Sequence, residues 1–438
     1  MASTFSIELH SLLSARHDDI ASARGVKGVN DRVDAITLLV RDALRHSSLC
    51  FIGGGDFHYF NGMFYERADK LSILADLSNV LVDLGFSPTD VRRMGEMPLS
   101  VVVERSYAPN PFLLCFNNGI LEVRGLEFGD INPRRIVTER MPYDYDPEAK
   151  CPAWETFLAE VLPDPSVRLV LQEFFGMCYL DRSRMSVEKF LLLIGAGANG
   201  KSVIFEVMKK AIGDDNVSTF DSQQLTSEKM IPYVKGKRLN FAPDMRRTSD
   251  FDSSLKALAS GQDVAGRKIY GDAEKIKCPP LVFAMNEMPR FNDTTDAFFR
   301  RLVPIRFDIT IPPERQDKHL VRKITDSDLP GIFNWIIEGR NRLVRQGGEF
   351  TRSEAIESYS KELRTIIDAR QAPVRTYLAS RGLSVYPLYD GQTTVKVSQR
   401  EIALGVGDIS PTAITREMNR YGVAMHRSRE IFYRVYQI

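Results

Sequence analysis

The feature that most constrains this chain is the octapeptide GAGANGKS, Gly195 to Ser202. A run this rich in glycine suits a place where something must approach the backbone closely. An apolar run, FLLLI (Phe190 to Ile194), precedes it, and the helix-compatible VIFEVMKKAIG follows. Buried strand, glycine-rich turn and helix N-terminus, in that order, are the context of a P-loop. Gly195, Gly197 and Gly200 let the backbone curl, so that amides from Ala198 and Asn199 through Lys201 and Val203 face phosphate oxygens. Lys201 would bring positive charge to the β- and γ-phosphates, and the Ser202 hydroxyl would ligate Mg²⁺.

A phosphate cradle alone does not choose among kinases, GTPases, transporters and motors, so the residues after it must decide. RLNFAPD, Arg238 to Asp244, is an apolar strand ending in an acid, suited to hold Mg²⁺ beside Ser202. In KCPPLVFAMNEMP a second strand ends on Asn286, a polar side chain able to orient an attacking water; the plainer reading is a turn cap. DAFFRRLVPIRF then sets Arg300 and Arg301 at the head of another apolar strand. Paired arginines are ordinarily a solvated face or a carboxylate clamp. Beside a P-loop they are also how a neighbouring subunit supplies an arginine finger.

At 438 residues the chain exceeds what one core usually supports. Four segments are expected: an α+β N-terminal region (1–150), a helical collar (151–186), an α/β nucleotide-binding domain (187–345) and a C-terminal part (346–438) with the outline of a winged helix. SLCFIGGGDFHYFNGMFYER and FLLCFNNGILEV carry hairpin signals, and PYDYDPEAKCP reads as a linker. Asp144 and Asp146 form a DxD pair of the kind that holds metals, but flanking prolines favour a solvated turn. With 58 basic and 57 acidic residues, the chain is not a protein that coats nucleic acid by bulk charge. The five cysteines include no CxxC pair, which reads as reduced thiols. No apolar run reaches the roughly 18 residues of a membrane span. The expected compartment is the cytoplasm, with no membrane partner.

Strand-ending Asp244, the block SLKALASGQDVAGRKIYGDAEKIKCPPLVFAMN and the Arg301 after it resemble superfamily 3 helicases. Within that group the chain looks most like the helicase part of phage, plasmid and poxvirus-type primase-helicases. The resemblance implies an AAA+-like P-loop core, ATP and Mg²⁺ as cofactors, and a homo-hexameric ring that moves on single-stranded DNA from 3′ to 5′. It makes Lys201 and Ser202 the Walker A pair, Asp244 the Walker B acid, Asn286 the sensor and Arg301 the finger. It gives Lys256 a role in reading the neighbouring subunit's nucleotide. Residues 264–277 become a hairpin projecting into the channel, with Lys268, and Arg267 beside it, on the DNA backbone. Pro243 stands where some relatives have a second acid, which leaves the general base unassigned. A primase domain has no visible counterpart, so primer synthesis is expected from a separately encoded primase or polymerase.

Two other readings stay open. The chain could be an initiator that uses ATP only to assemble on an origin, with SPTAITREMNRYG as a recognition helix or, alternatively, as a protein-docking face. An RNA helicase is the weaker one. ATPase rate with and without single-stranded DNA separates motor from assembly switch.

Overall fold

The computed structural model describes residues 3–437, apart from 54–55, 109, 183, 246–249, 252–253, 268–272, 288–289, 292–294, 372, 386–393, 408, 421–422, 424 and 428–430. The chain divides into two compact units. One comprises Met1–Glu155, Glu206–Val217 and Lys318–Ile337; the other comprises Thr156–Phe205, Ser218–Asp317 and Glu338–Ile438.

The first unit opens with helices Thr4–Ser14, His17–Gly25 and Val29–His46. Ser3 caps the first, its hydroxyl accepting from the Ser6 amide. In the third, Val33, Ile36, Val40, Ala43 and Leu44 are buried at helical spacing, so one stripe faces the core. The aromatic stretch then folds into strands Cys50–Ile52, Asp56–Phe60 and Tyr65–Ala68, paired antiparallel in sequence. Gly62 takes φ of +99°, a left-handed conformation that asparagine-glycine turns require. FNNGILEV forms a second hairpin, with Phe116 opposite Gly119 across the two-residue turn Asn117-Asn118. The Asn118 side chain bonds both the amide and the carbonyl of Tyr145 at 2.9 Å, tying down the linker. Asp144 and Asp146 are exposed on that linker, and no cluster of metal-ligating side chains exists among the described residues.

The second unit is built on a sheet whose strands we label β1 (Phe190–Ile194), β2 (Val217–Ser218), β3 (Leu239–Ala242), β6 (Leu281–Met285) and β7 (Leu302–Arg306), with β4 (Asp263–Arg267) and β5 (Ala273–Lys277) forming a separate ribbon. The order is β7-β1-β6-β3-β2. The pairs β7–β1, β1–β6 and β6–β3 are all parallel. Central parallel strands are covered on both faces, which is why FLLLI and LVFAM are continuous apolar runs with every residue buried. The ribbon pairs antiparallel from Asp263 opposite Lys277 to Arg267 opposite Ala273, and its joining residues, Lys268 among them, lie outside the described residues. Gly266 and Ile276 face inward, where a Cβ on Gly266 would meet Ile231 at 2.9 Å. Arg267, Lys275 and Lys277 are exposed on the other face.

Beyond the long helix Leu320–Arg345 and helix Glu354–Gln371, the chain ends in helices Pro373–Ser380, Gln399–Val406 and Pro411–Arg420 with strands Thr394–Ser398, Met425–Arg427 and Ile431–Gln437. This segment has its own core, centred on Ile402, Ile414, Met418, Tyr433 and Val435. All five cysteines are buried and none forms a disulfide, and no described helix is long and apolar enough to cross a membrane.

Candidate functional site

Because β1, β6 and β3 lie side by side and parallel, their C-terminal ends share one edge of the sheet. β1 runs into the glycine-rich loop, β6 ends at Met285 before Asn286, and β3 ends at Ala242 two residues before Asp244. The edges are laced together: the Gly195 amide donates to Met285 O at 3.3 Å, and the Met245 amide to Ala284 O at 3.0 Å. Ligands of open α/β sheets bind outside the carboxyl ends of the strands. Asp244 and Asn286 are exposed at this edge, as is Ser202 in the first turn of helix Lys201–Ile212. The first amides of that helix have no partner within it, which makes its N-terminus electropositive.

The loop is shaped by two glycines and one strained alanine. Gly200 has φ of +91°, and a Cβ there would sit 2.9 Å from both Phe157 Cζ and Val161 Cγ1. A Cβ on Gly195 would come within 2.5 Å of Asn199 Nδ2 and Phe307 O. Gly197, by contrast, has open space around it, and the left-handed residue beside it is Ala198 with φ of +58°. Left-handed backbone costs a residue with a Cβ about 1–2 kcal/mol. Ala198 is held there partly by its carbonyl, which accepts from the Ile311 amide at 2.7 Å.

Lys201 does not project into solvent. It is 5% exposed, and its Nζ donates to Gly195 O at 2.7 Å, Asn199 Oδ1 at 2.9 Å and Ala196 O at 3.2 Å. Burial pushes its ammonium below the usual lysine range, opposed by the nearby Asp244 carboxylate. The carboxylate's effect on the ammonium links the β3 end to the loop electrostatically.

Beside the loop lies a cavity of about 210 Å³, lined by Val161, Leu162, Pro163, Ile305, Ile309 and Tyr359 among others. Arg306, which lies opposite Ile194 across β7 and β1, stacks its guanidinium 4.9 Å from the Tyr359 ring and pairs with Glu362 at 3.0 Å. Burial pushes the Tyr359 phenol up to about 12. Nothing in the local sequence pattern announced this cavity, because its walls come from three separated segments.

Arg301 lies at the opposite edge. It precedes Leu302, which pairs with Phe190 at the start of β1, so the length of β1 separates it from the loop, about 13 Å of strand. Arg301 is 9% exposed, bonds Glu188 Oε2 at 2.5 Å and Ala297 O at 2.7 Å, and its Nε is buried with no hydrogen-bond partner among the described residues. Arg300 is exposed, and its carbonyl accepts from Lys189 Nζ at 2.6 Å. Lys256 is half-buried on helix Ser254–Ala259. The structure thus brings Lys201, Ser202, Asp244 and Asn286 to one edge and sets Arg300 and Arg301 apart from them. Lys275, exposed on the ribbon beside Arg267, is a cation that sequence reading passed over because it sits amid alternating charges.

Known proteins share this architecture. Residues 92–163 match the family described as D5 N terminal like, and residues 193–301 match a family of unknown function, DUF5906. The provisionally named helicase L207/L206 of Acanthamoeba polyphaga mimivirus is 24% identical over 238 residues, covering 51% of this chain and 23% of that protein. The provisionally named primase C962R of African swine fever virus is 24% identical over 212 residues, covering 44% of this chain and 22% of that protein. The chain therefore spans less than a quarter of the length of these two relatives. In solved structures, the apo C-terminal region of NrS-1 matches with a TM-score of 0.51 at 12% identity, covering 91% of this chain and 98% of that one. That likeness is one of fold: a mixed α/β chain with a parallel sheet. Together the matches show that the chain resembles the helicase part of viral primase-helicases.

Proposed function

We propose that this chain is an ATP-driven motor of DNA replication that assembles into a homo-hexameric ring and translocates on single-stranded DNA, 3′ to 5′. The names of its distant relatives, helicase and primase, support a replication role. The observation that carries the motor reading is the split of the site. Lys201, Ser202, Asp244 and Asn286 share one sheet edge, while Arg301 stands a strand's length away, too far to serve the same nucleotide.

In this reading Gly195 through Val203 cradle the triphosphate, and Lys201 exchanges its bonds with loop carbonyls for bonds with phosphate oxygens. The donor set fits Mg²⁺, since a hydroxyl (Ser202) and a carboxylate (Asp244) are hard oxygen ligands. A bound Mg²⁺ supplies charge neutralisation at the transferred phosphoryl group. Asn286 orients the attacking water, and the apolar cavity beside the loop receives the adenine ring. Arg301, or Arg300 in its place, completes the site of the next subunit, with Lys256 at the same interface. The ribbon residues Lys268 and Arg267 contact the DNA backbone, and a separately encoded primase or polymerase supplies the primers.

An initiator that uses ATP only to assemble is the second reading. The test is ATPase rate across a titration of single-stranded DNA, with mass in solution read in parallel. Strong stimulation in a ring supports the motor. A ring whose hydrolysis ignores DNA removes it.

A further inference from the structure

The strand at the margin of the nucleotide-binding sheet leaves half of its backbone unused. β7 ends the order β7-β1-β6-β3-β2, so only one of its edges is paired. The Phe190 amide donates to Arg301 O at 2.8 Å, and the Phe307 amide to Ile194 O at 2.7 Å. With Leu302 opposite Phe190 in a parallel pair, these bonds turn odd-numbered residues of β7 toward β1 and even-numbered ones outward. The amide and carbonyl of Leu302 and the carbonyl of Pro304 therefore point away from the sheet. None of the three has a hydrogen-bond partner among the described residues. Yet Leu302 is 5% exposed and Pro304 is buried. Backbone groups this enclosed are ordinarily paired.

A cavity of about 520 Å³ opens along that edge at its Leu302 end. Ligand sites span roughly 300–1,000 Å³. The cavity beside the glycine-rich loop lies toward the Arg306 end of the same strand. Val170, Phe350 and Ile356 supply apolar walls, from helix Pro165–Gly176, the loop before helix Glu354–Gln371, and that helix itself. The rim is cationic. Lys189, Arg300, Arg352, Lys361 and Arg364 line it against two carboxylates, Glu349 and Glu357, which leaves an excess of three positive charges. Arg352 pairs with Glu357 at 3.0 Å, and Arg364 pairs with Asp296. The side chains of Arg300 and Lys361 are exposed, and neither makes a hydrogen bond or ion pair among the described residues.

We propose that this groove receives an extended acidic segment of a partner protein, which adds to the sheet as a short strand beside β7. Exposed strand edges are templates for such pairing. Backbone bonds to Leu302 and Pro304 would set the register. Side chains of alternating direction would meet the apolar walls and the cationic rim. Pro304 lacks an N–H and so confines the pairing to the Leu302 end. A small anion or a phosphate backbone would satisfy Arg300 and Lys361 but offers no donor to the two outward carbonyls. An acidic peptide answers both needs. The assignment does not depend on nucleotide hydrolysis.

The experiment selects displayed random linear dodecapeptides on the full chain, then measures the affinity of one enriched peptide. Wild type should enrich peptides in which acidic and apolar residues alternate. N-methylation at every second residue should be tolerated in one phase and should weaken binding about tenfold or more in the other, because only one edge of an added strand pairs. Lys361→Glu should weaken binding about 2- to 30-fold, the effect of replacing one exposed ion pair by a repulsion of equal size. That variant should keep the wild-type unfolding temperature. Ser360→Trp, which fills the cavity from the helix, should abolish binding. The proposal is overturned if no peptide is enriched, if those enriched lack acids, if both methylation phases bind alike, or if Lys361→Glu binds as wild type does. Displacement of the peptide by equimolar inorganic tripolyphosphate or single-stranded DNA would overturn it too, by making this a site for anions alone. Altered self-association of Lys361→Glu with peptide binding intact would overturn it by giving the groove to a second copy of the chain.

Discussion

Arg301→Ala separates an arginine acting on its own nucleotide from one acting on a neighbour's, and the structure sets the size of each effect. At about 13 Å and an effective dielectric near 20, a unit charge contributes about 1.3 kcal/mol at the transferred phosphoryl, or roughly tenfold in rate. Glu188, bonded to Arg301 at 2.5 Å, cancels most of even that. At about 4 Å, across a subunit boundary, the same relation gives about 4 kcal/mol, near 10³-fold, which is the scale of arginine fingers elsewhere. A loss well above tenfold, with ATP affinity unchanged, therefore requires contact that this chain's own geometry does not provide. Removing the guanidinium also breaks the Glu188 pair, whose members are 11% and 36% exposed. With Glu188 free to hydrate, that costs about 1–2 kcal/mol of stability, to be read by thermal unfolding. Glu188→Gln supplies the control, since it releases Arg301 without deleting it and should retain hydrolysis. The assay mixes Arg301→Ala with Lys201→Ala chains, each inactive alone. By chance pairing in a ring, about a quarter of the interfaces join an intact loop to an intact finger. Recovery toward that level supports the shared site. Mixed rings that form and stay dead refute the reasoning, and Arg300→Ala in the same scheme then shows whether its exposed neighbour is the finger.

Three further outcomes are expected. Lys201→Ala and Asp244→Asn should each abolish hydrolysis in a folded chain, whereas Asn286→Ala should lower turnover more than ATP affinity; steady-state kinetics with nucleotide-binding titrations distinguish them. Lys268→Ala should flatten the salt dependence of single-stranded DNA binding, roughly −4 in log–log slope for six contacts in a hexamer, and stop unwinding while sparing basal ATPase; an unchanged slope shifts attention to Lys275. Burial holds the thiols of Cys50 and Cys115 near 11 and those of Cys178 and Cys278 near 12, so thiolate is scarce at pH 8. A thiol-reactive dye should label the native chain slowly and the denatured chain at once, and fast native labelling would contradict that burial.

Legibility followed the range of the interactions. The Asn117-Asn118-Gly119 turn and the strand-loop-helix around Gly195 to Ser202 were readable because their causes lie within a few residues. What escaped was long-range. Glu188 and Arg301 are 113 residues apart in sequence, and no local pattern links them. The cavity under Tyr359 needs Val161 and Ile309 from separate segments. Gly197 looked as necessary as Gly200, yet in the fold Ala198 takes the left-handed turn beside it. Glycines 176 and 339 carry no local signal. In the structure Gly176 lies against the Arg340 backbone and Gly339 against Gln172 O, where a Cβ would come within 2.3 and 2.2 Å.

The way Lys201 is stored has a consequence for the resting chain. Its ammonium is already coordinated by two carbonyls and an amide oxygen of its own loop. An anion that offers only one or two oxygens gains little by competing for it. A triphosphate bound as proposed would reach the helix N-terminus, the loop amides and the lysine together, and so would displace all three bonds in one event. On the proposed reading, such a loop discriminates against a single phosphate group and keeps its strongest charge for a molecule long enough to reach all three.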